Sequence, residues 1–250
     1  MDVTALGVGD AFSSRWYSTC LLVHHEGSRL LIDCPHPIRK VLAESAPGVD
    51  LPDIDAIVLT HLHGDHCSGL EGFGFFSHFV LQRPVPLLAW PGVSNRLWER
   101  LAPGMDCLKP TPDAPPVAKT LDDYFAVAPL SIHEPTTFGP FTVEARPTKH
   151  HVPTTALRIT ADGATLAYSA DTSFDPALIT WLDGAGAPAD VVIHETNLGT
   201  HTPLDDLLSL PASLRDRMRL VHYPDFFDVA GCSIQCLTQG ETIAVGPASR

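Results

Sequence analysis

The segment Thr60-His61-Leu62-His63-Gly64-Asp65-His66 places four side chains able to hold a metal ion within six residues, directly after the apolar run Ala56-Ile57-Val58-Leu59. A short, partly β-branched apolar run reads as a buried strand, so the cluster leaves the end of a sheet. Three imidazoles and a carboxylate this close repel one another on protonation and add nothing to a core. A pair of metal ions accounts for them, and imidazole with carboxylate suits zinc, manganese and iron alike. His61 and His63 lie two apart on an extended segment and project to the same side. Gly64 permits a turn, after which Asp65 and His66 can aim at a second position beside the first.

Composition bounds the rest. With 250 residues, 44% of them hydrophobic, and a mean hydropathy of +0.09, the chain can bury a sizeable core as a soluble globular protein. No apolar run approaches the roughly 20 residues that span a bilayer, and Met1-Asp2-Val3-Thr4 lacks the pattern of a secretory signal; a cytoplasmic location is the default expectation. The six cysteines, at 20, 34, 67, 107, 232 and 236, show no paired metal spacing, so buried or half-buried thiols are expected rather than a disulfide framework. A net charge of −13 argues against a broad phosphate-binding face, because proteins that grip long nucleic acids cluster Lys and Arg.

Along the chain, strands are expected at residues 3–8, 20–23, 29–32, 56–59 and 86–89, with helices at 37–45 and 93–101. A proline-rich loop at 103–116 and a helical turn at 120–124 follow. The second half repeats the pattern with strands at 130–133, 141–146, 156–160, 165–169, 191–194 and 219–222 and helices at 175–182 and 204–218. Two strand-rich halves with helices outside give an α/β fold, a four-layer α/β/β/α sandwich, and no composition break divides residues 1–250 into more than a single domain. The loops at 69–84 and 105–120 have no derivable conformation.

A two-metal site needs about seven protein ligands, and further candidates belong where polar residues directly follow apolar strands. Three places qualify: His150-His151, Asp171 and His222. With Gly7-Val8-Gly9-Asp10, Leu31-Ile32-Asp33, Gly69-Leu70, Ser169-Ala170-Asp171-Thr172 and His194-Glu195, these span nearly the whole chain in order. In this pattern the chain resembles the metallo-β-lactamase-fold metallohydrolases. The resemblance implies one metal held by His61, His63 and His150 and another by Asp65, His66 and His222, with Asp171 bridging. The cofactors would be two divalent ions, zinc first, with manganese or iron as alternatives. His150 rather than His151 matches the family's spacing to Pro153, which leaves His151 beside the metals or facing substrate. Asp33 would support a turn next to the metals.

His194-Glu195-Thr196 and Thr200-His201-Thr202 resemble segments of ribonuclease Z and its phosphodiesterase relatives, which implies that Glu195 orients His201 and that His201 protonates a leaving group. The alternative, two surface polar residues, stays open because the segments lie closer together here than in ribonuclease Z. Asp65 would hold a metal and accept a hydrogen bond from the attacking, metal-bridging hydroxide. Against transfer-RNA processing stand the absence of a basic Gly/Pro-rich arm and the ending Tyr223-Pro224-Asp225-Phe226-Phe227 after His222. The expected function is therefore a binuclear metal-dependent phosphodiesterase on a small phosphodiester or short oligonucleotide. A carbonyl hydrolase (lactonase, thioesterase or β-lactamase-like), a di-iron oxidase or oxygenase, and a non-catalytic metal module are the alternatives. No extended nucleic-acid surface and no membrane contact are expected; a homodimer is left open. Phe73, Phe75, Phe76 and Phe79 read equally as pocket wall or core, and His24, His25, His36, His78 and His133 as solvated or supporting residues.

Overall fold

The apolar runs at 30–32 and 56–59 are buried on both sides, and their alternate residues face two different cores. Leu30, Ile32, Ala56 and Val58 join one apolar cluster, while Leu31, Ile57 and Leu59 join a second. A strand with no polar face belongs in the middle of a sheet covered on both sides.

The computed structural model describes residues 1–184 and 186–246; residues 185 and 247–250, which the single-domain expectation spans, lie outside the described residues. The first half holds β1 (Asp2–Gly7), β2 (Cys20–His25), β3 (Ser28–Ile32), α1 (Ile38–Ser45), β4 (Ala56–Leu59), α2 (Gly64–Cys67), α3 (Leu70–Phe76), β5 (Val85–Ala89), α4 (Pro91–Ser94), α5 (Leu97–Met105), β6 (Cys107–Leu108), β7 (Val117–Ala118) and β8 (Phe125–Pro129). The second holds β9 (Thr136–Phe138), β10 (Phe141–Pro147), β11 (Thr155–Ala161), β12 (Ala164–Tyr168), α6 (Pro176–Asp183), β13 (Val191–Glu195), α7 (Leu204–Leu208), α8 (Ala212–Arg215), β14 (Met218–Val221) and β15 (Thr242–Ala244). One sheet runs β15-β1-β2-β3-β4-β5-β8 and the other β14-β13-β12-β11-β10-β9. The core between the sheets joins Val3, Val23 and Val58 to Val143, Leu157 and Ile159, and α6 covers the far side with Leu178 and Leu182. Beneath the first sheet, Val41 of α1, Phe73 of α3 and Leu101 of α5 close the second core. This is the expected four-layer α/β/β/α sandwich.

The sheets are parallel where it matters. Strands β3, β4, β5 and β8 run parallel, as do β12, β13 and β14. Their carboxyl ends therefore open on one edge of the sandwich, where open α/β sheets gather their ligands. Two hydrogen bonds stitch the sheets there, Thr155 N to Thr60 O at 3.1 Å and His222 N to Val8 O at 2.7 Å. Three strands exit through non-glycine residues in the left-handed region: Asp33 (φ 62°), Ala170 (φ 48°) and His222 (φ 60°). Such conformations cost energy and concentrate where function holds the backbone in place.

Three expectations are corrected, and the segment at 69–84 takes a form the sequence left underived. The strand expected at 130–133 lies at Phe125–Pro129 instead, because the Ser131 hydroxyl accepts the amides of His133 and Glu134, both at 3.1 Å, and turns the chain. The helix α5 runs through Pro103 to Met105, and the loop beyond it carries the short β6–β7 ribbon. Residues 70–76 are helical despite two glycines. Packing overrides propensity here: a Cβ on Gly74 would stand 2.6 Å from Met105 Cε and 3.2 Å from the Phe125 ring. The span 204–218 is two short helices broken before Pro211, with Met218 already in β14. Phe73 is fully buried and Phe75 and Phe76 pack on the second core, so the aromatic run is mostly core, while Phe79 is exposed.

Gly69, between α2 and α3, donates its amide to Cys34 O at 2.8 Å, and the Cys34 amide returns to His66 O at 2.7 Å. Its φ of −81° is ordinary, but a Cβ would strike the Pro35 carbonyl and stand 2.8 Å from the Cys34 oxygen, both unyielding backbone. Gly69→Ala should therefore cost about 1–3 kcal/mol by overpacking alone, seen as a lower urea midpoint with an unchanged m-value.

Candidate metal centre

Each strand end contributes one part of the centre. Beyond β4, His61 is wholly buried and His63 caps the start of α2, whose first turn turns Asp65 and His66 inward. His150 follows β10, Asp171 follows β12, Glu195 closes β13 and His222 follows β14. Hydrogen bonds from the outer ring nitrogens determine which nitrogen of each imidazole is free. The Thr60 hydroxyl donates to Asp33 at 2.8–2.9 Å, so His61 Nδ1–H donates to Thr60 Oγ1 at 3.0 Å. His66 Nδ1–H donates to Asp33 Oδ2 at 2.8 Å. The Thr19 hydroxyl donates to Gly9 O at 3.0 Å, so His222 Nδ1–H donates to Thr19 Oγ1 at 3.2 Å. In all three rings the bare Nε2 lone pair faces inward.

Those inner atoms converge on one carboxylate. Asp171 Oδ2 lies 3.6 Å from His61 Nε2, 3.8 Å from His150 Nε2 and 3.6 Å from His222 Nε2. Its Oδ1 lies 3.3 Å from His66 Nε2, which is also 3.4 Å from Asp65 Oδ2. His63 Nδ1 stands 3.1 Å from His61 Nε2 and 3.2 Å from His150 Nε2. The structure thus brings together His61, His63, His150 and Asp171, and beside them Asp65, His66 and His222. His151 stays one step out, its Nε2 3.0 Å from His63 Nε2.

The residues fit a metal pair. Buried His66 Nε2 and Asp171 Oδ1 have no hydrogen-bond partner, and elsewhere acceptor faces acceptor, an arrangement that is costly unless a cation lies between. Donor separations of 3.1–3.8 Å bracket the edge, roughly 3.3 Å, of a tetrahedron whose corners lie about 2.0–2.1 Å from its centre. Electrostatics agree. Burial pushes the pKa of His61, of His150 (to about 4) and of His222 down, leaving neutral ligands. Burial alone would raise Asp65 and Asp171, yet the surrounding imidazoles hold both well below the usual carboxylate range. Burial also opposes charge on His66, but the Asp171 and Asp33 carboxylates outweigh it and raise its pKa; a metal cation answers the same demand.

Next to the cluster, His201 Nδ1 lies 2.8 Å and 3.0 Å from the two carboxylate oxygens of buried Glu195 and 4.0 Å from Asp171 Oδ2. The six-residue spacing suffices because a tight loop folds back: Asn197 N donates to Thr202 O at 3.1 Å and Thr202 Oγ1 to Thr172 O at 2.9 Å. The Thr172 amide donates to Glu195 Oε1. Burial disfavours charge on both partners, and the contact with Glu195 holds His201 above its ordinary value. Neighbouring His194 turns its Nδ1–H to the Glu195 carbonyl at 2.7 Å. A cavity of about 460 Å³ opens beside His201 and His222, and one of about 350 Å³ lies by Leu62 and Val152.

Sequence reasoning missed Thr19 and the Asp10–Asn197 contact, at 3.0 Å; a lone Thr and a lone Asn carry no pattern that marks them. His25 instead bonds Asp162 at 3.0 Å, and His78 packs on Phe79 and Tyr124. Among the described residues no helix is long and apolar enough to cross a membrane.

Comparison with known proteins agrees with this architecture. The family model described as Anti-Pycsar protein Apyc1 matches residues 1–234. An Anti-Pycsar protein Apyc1 of Saccharibacillus brassicae is 32% identical over 231 residues, covering 90% of each chain. The metallo-β-lactamase fold protein YhfI of Bacillus subtilis superposes with a TM-score of 0.77 at 20% identity, over 98% of this chain and 99% of that one. The short form of human tRNase Z gives 0.71 at 21%, over 98% and 100%; both structures bear on the fold. Matched along nearly its whole length, the chain belongs to the Anti-Pycsar protein Apyc1 family, and its fold is the metallo-β-lactamase fold.

Proposed function

We propose that the protein is a binuclear metal-dependent phosphodiesterase that cleaves a small phosphodiester: a cyclic nucleotide, a short oligonucleotide or another small diester. The Glu195–His201 pair carries this reading. A thioester expels a thiolate that leaves without an acid, whereas the alkoxide expelled from a phosphodiester needs a proton as it departs, and a paired imidazole beside the histidine–aspartate cluster meets that need. Nucleotide-related chemistry is also what the phosphodiesterase-like fold neighbours support, and the description that relatives carry extends the proposal to an Anti-Pycsar role.

In this scheme His61, His63 and His150 would hold one ion, Asp65, His66 and His222 would hold the other, and Asp171 would serve both. Zinc is the first expectation, and the same donors accept manganese or iron. Two divalent ions, when bound there, would supply Lewis acidity toward phosphoryl oxygens and lower the pKa of water. Asp65 accepts a hydrogen bond from the attacking water and so aims its lone pair at phosphorus. Glu195 engages His201 Nδ1, which leaves Nε2–H of the imidazolium to protonate the departing oxygen. Asp33, Thr60 and Thr19 fix the imidazole tautomers and keep the donors in place.

Zinc- or manganese-reconstituted protein should bind two ions per chain and hydrolyse bis(p-nitrophenyl) phosphate, with Asp65→Ala falling to background. A protein shown to hold two ions but inert toward diesters would shift the assignment to lactones and thioesters. His201→Ala should lose about 10²–10⁴-fold in kcat with poor alkoxide leaving groups and far less with p-nitrophenolate; equal losses with both would remove the acid role. Because the Glu195 carboxylate raises the His201 pKa, Glu195→Gln should lower it. The alkaline limb of the pH–rate profile for poor leaving groups should then move to lower pH.

A further inference from the structure

Of the large hydrophobic side chains left exposed among the described residues, the three most exposed are Phe12 (92%), Phe226 (73%) and Leu198 (65%). They come from three separate segments, yet all line the single cavity that His201 and His222 also line. Exposed apolar side chains scattered singly need no explanation; gathered at one cavity beside a reactive centre, they do.

The three segments are held rigidly. Asp225 accepts from Ser13 Oγ at 2.6 Å, Ser14 N at 2.9 Å and Ser14 Oγ at 2.7 Å, and its carbonyl accepts from Arg15 at 3.0 Å. Asp10 accepts from the Phe12 amide and from Asn197 Nδ2, both at 3.0 Å, and Asn197 also reaches His222 O at 3.0 Å. The carboxylates of the cavity are thus spent on fixing its loops, and apolar faces are what it offers. No Lys or Arg lines it. The cavity by Leu62 and Val152 differs, with Arg96, Arg100 and Glu99 in its wall, Glu99 lying 3.8 Å from Arg96 and two cations standing against one carboxylate. An anionic extension of a substrate would go to the arginine side, and a flat uncharged group to the side of Phe12 and Phe226.

Resting on the phosphodiester reading above, we propose that Phe12, Leu198 and Phe226 form a clamp for the heterocyclic base of a nucleoside phosphodiester. The base is carried by the half of the substrate whose oxygen departs toward His201. Recognition is by stacking and apolar contact on preformed walls, so it sets affinity for a ring.

The test uses metal-loaded protein with adenosine 3′,5′-cyclic phosphate and with methyl riboside 3′,5′-cyclic phosphate, which keeps the sugar and leaving oxygen but lacks the base. Wild-type kcat/KM should favour the nucleoside substrate by about 5- to 150-fold, the range expected for one stacked base. Phe12→Ala and Phe226→Ala, both at exposed positions where folding is not at stake, should shrink that ratio mainly through KM. Free adenosine should inhibit bis(p-nitrophenyl) phosphate hydrolysis competitively in wild type and more weakly in either variant. Hydrolysis of bis(p-nitrophenyl) phosphate with no preference for the nucleoside substrate, or equal losses on both substrates in the variants, overturns the clamp alone. Protein holding two metals and cleaving no diester overturns the phosphodiester reading and the clamp with it.

Discussion

The carboxylate of Asp33 is the contact on which the centre depends. It is wholly buried, one residue beyond β3, in a left-handed conformation that only a held backbone retains. Burial raises its pKa, and His66 and Thr60 work against that. It accepts from the Thr60 amide at 2.8 Å, from the Thr60 hydroxyl and from His66 Nδ1. Because the hydroxyl is committed to Asp33, it can only accept from His61, and the tautomer of His61 follows. One carboxylate therefore sets the free nitrogen of two imidazoles and pins the exit of β4 to the exit of β3.

Such a centre destabilises the apo fold that carries it. Bare nitrogens face carboxylate oxygens, His66 Nε2 and Asp171 Oδ1 lack partners, and three strand exits hold left-handed residues. The rest of the molecule offsets this with two apolar cores on either side of the first sheet and with cross-sheet hydrogen bonds at the same edge. Binding of cations to ligands preformed in the folded chain, and not in the unfolded one, stabilises the native state by mass action. Folding and metal loading would be coupled for that reason.

The clustering of the histidine-rich segment was legible because its chemistry has no other use at that density, and the strands that deliver it because their apolar runs are short and uninterrupted. What stayed illegible was decided by tertiary contact. Residues 70–76 contain two glycines that argue against a helix, yet the missing Cβ of Gly74 is what lets Met105 and Phe125 close on it. The strand β8 is an edge strand of alternating small residues ending in proline, with little pattern to show, while the neighbouring Leu130 is apolar and buried but turned away by Ser131. His150 and His151 are chemically identical in sequence; only the chain path after β10 sends one inward and leaves the other against His63 Nε2. Thr19 matters through a single hydroxyl, which no spacing rule marks.

The charge balance bears on how the proposed substrate reaches this edge. A net charge of −13 repels a long polyanion over distances comparable to the Debye length, about 8–10 Å at ordinary ionic strength. Two divalent ions would reverse the local sign at the ligand cluster, and Arg96 and Arg100, with Glu99 between them in sequence, line the cavity by Leu62. A compact monoanionic diester meets little of the distant repulsion and all of the local attraction. A long nucleic acid meets both, without the basic face that would compensate along its length. On the proposed reading the same asymmetry would orient the small diester: its phosphate would go to the metals, and its uncharged half to the side without cations, where His201 would stand beside the departing oxygen.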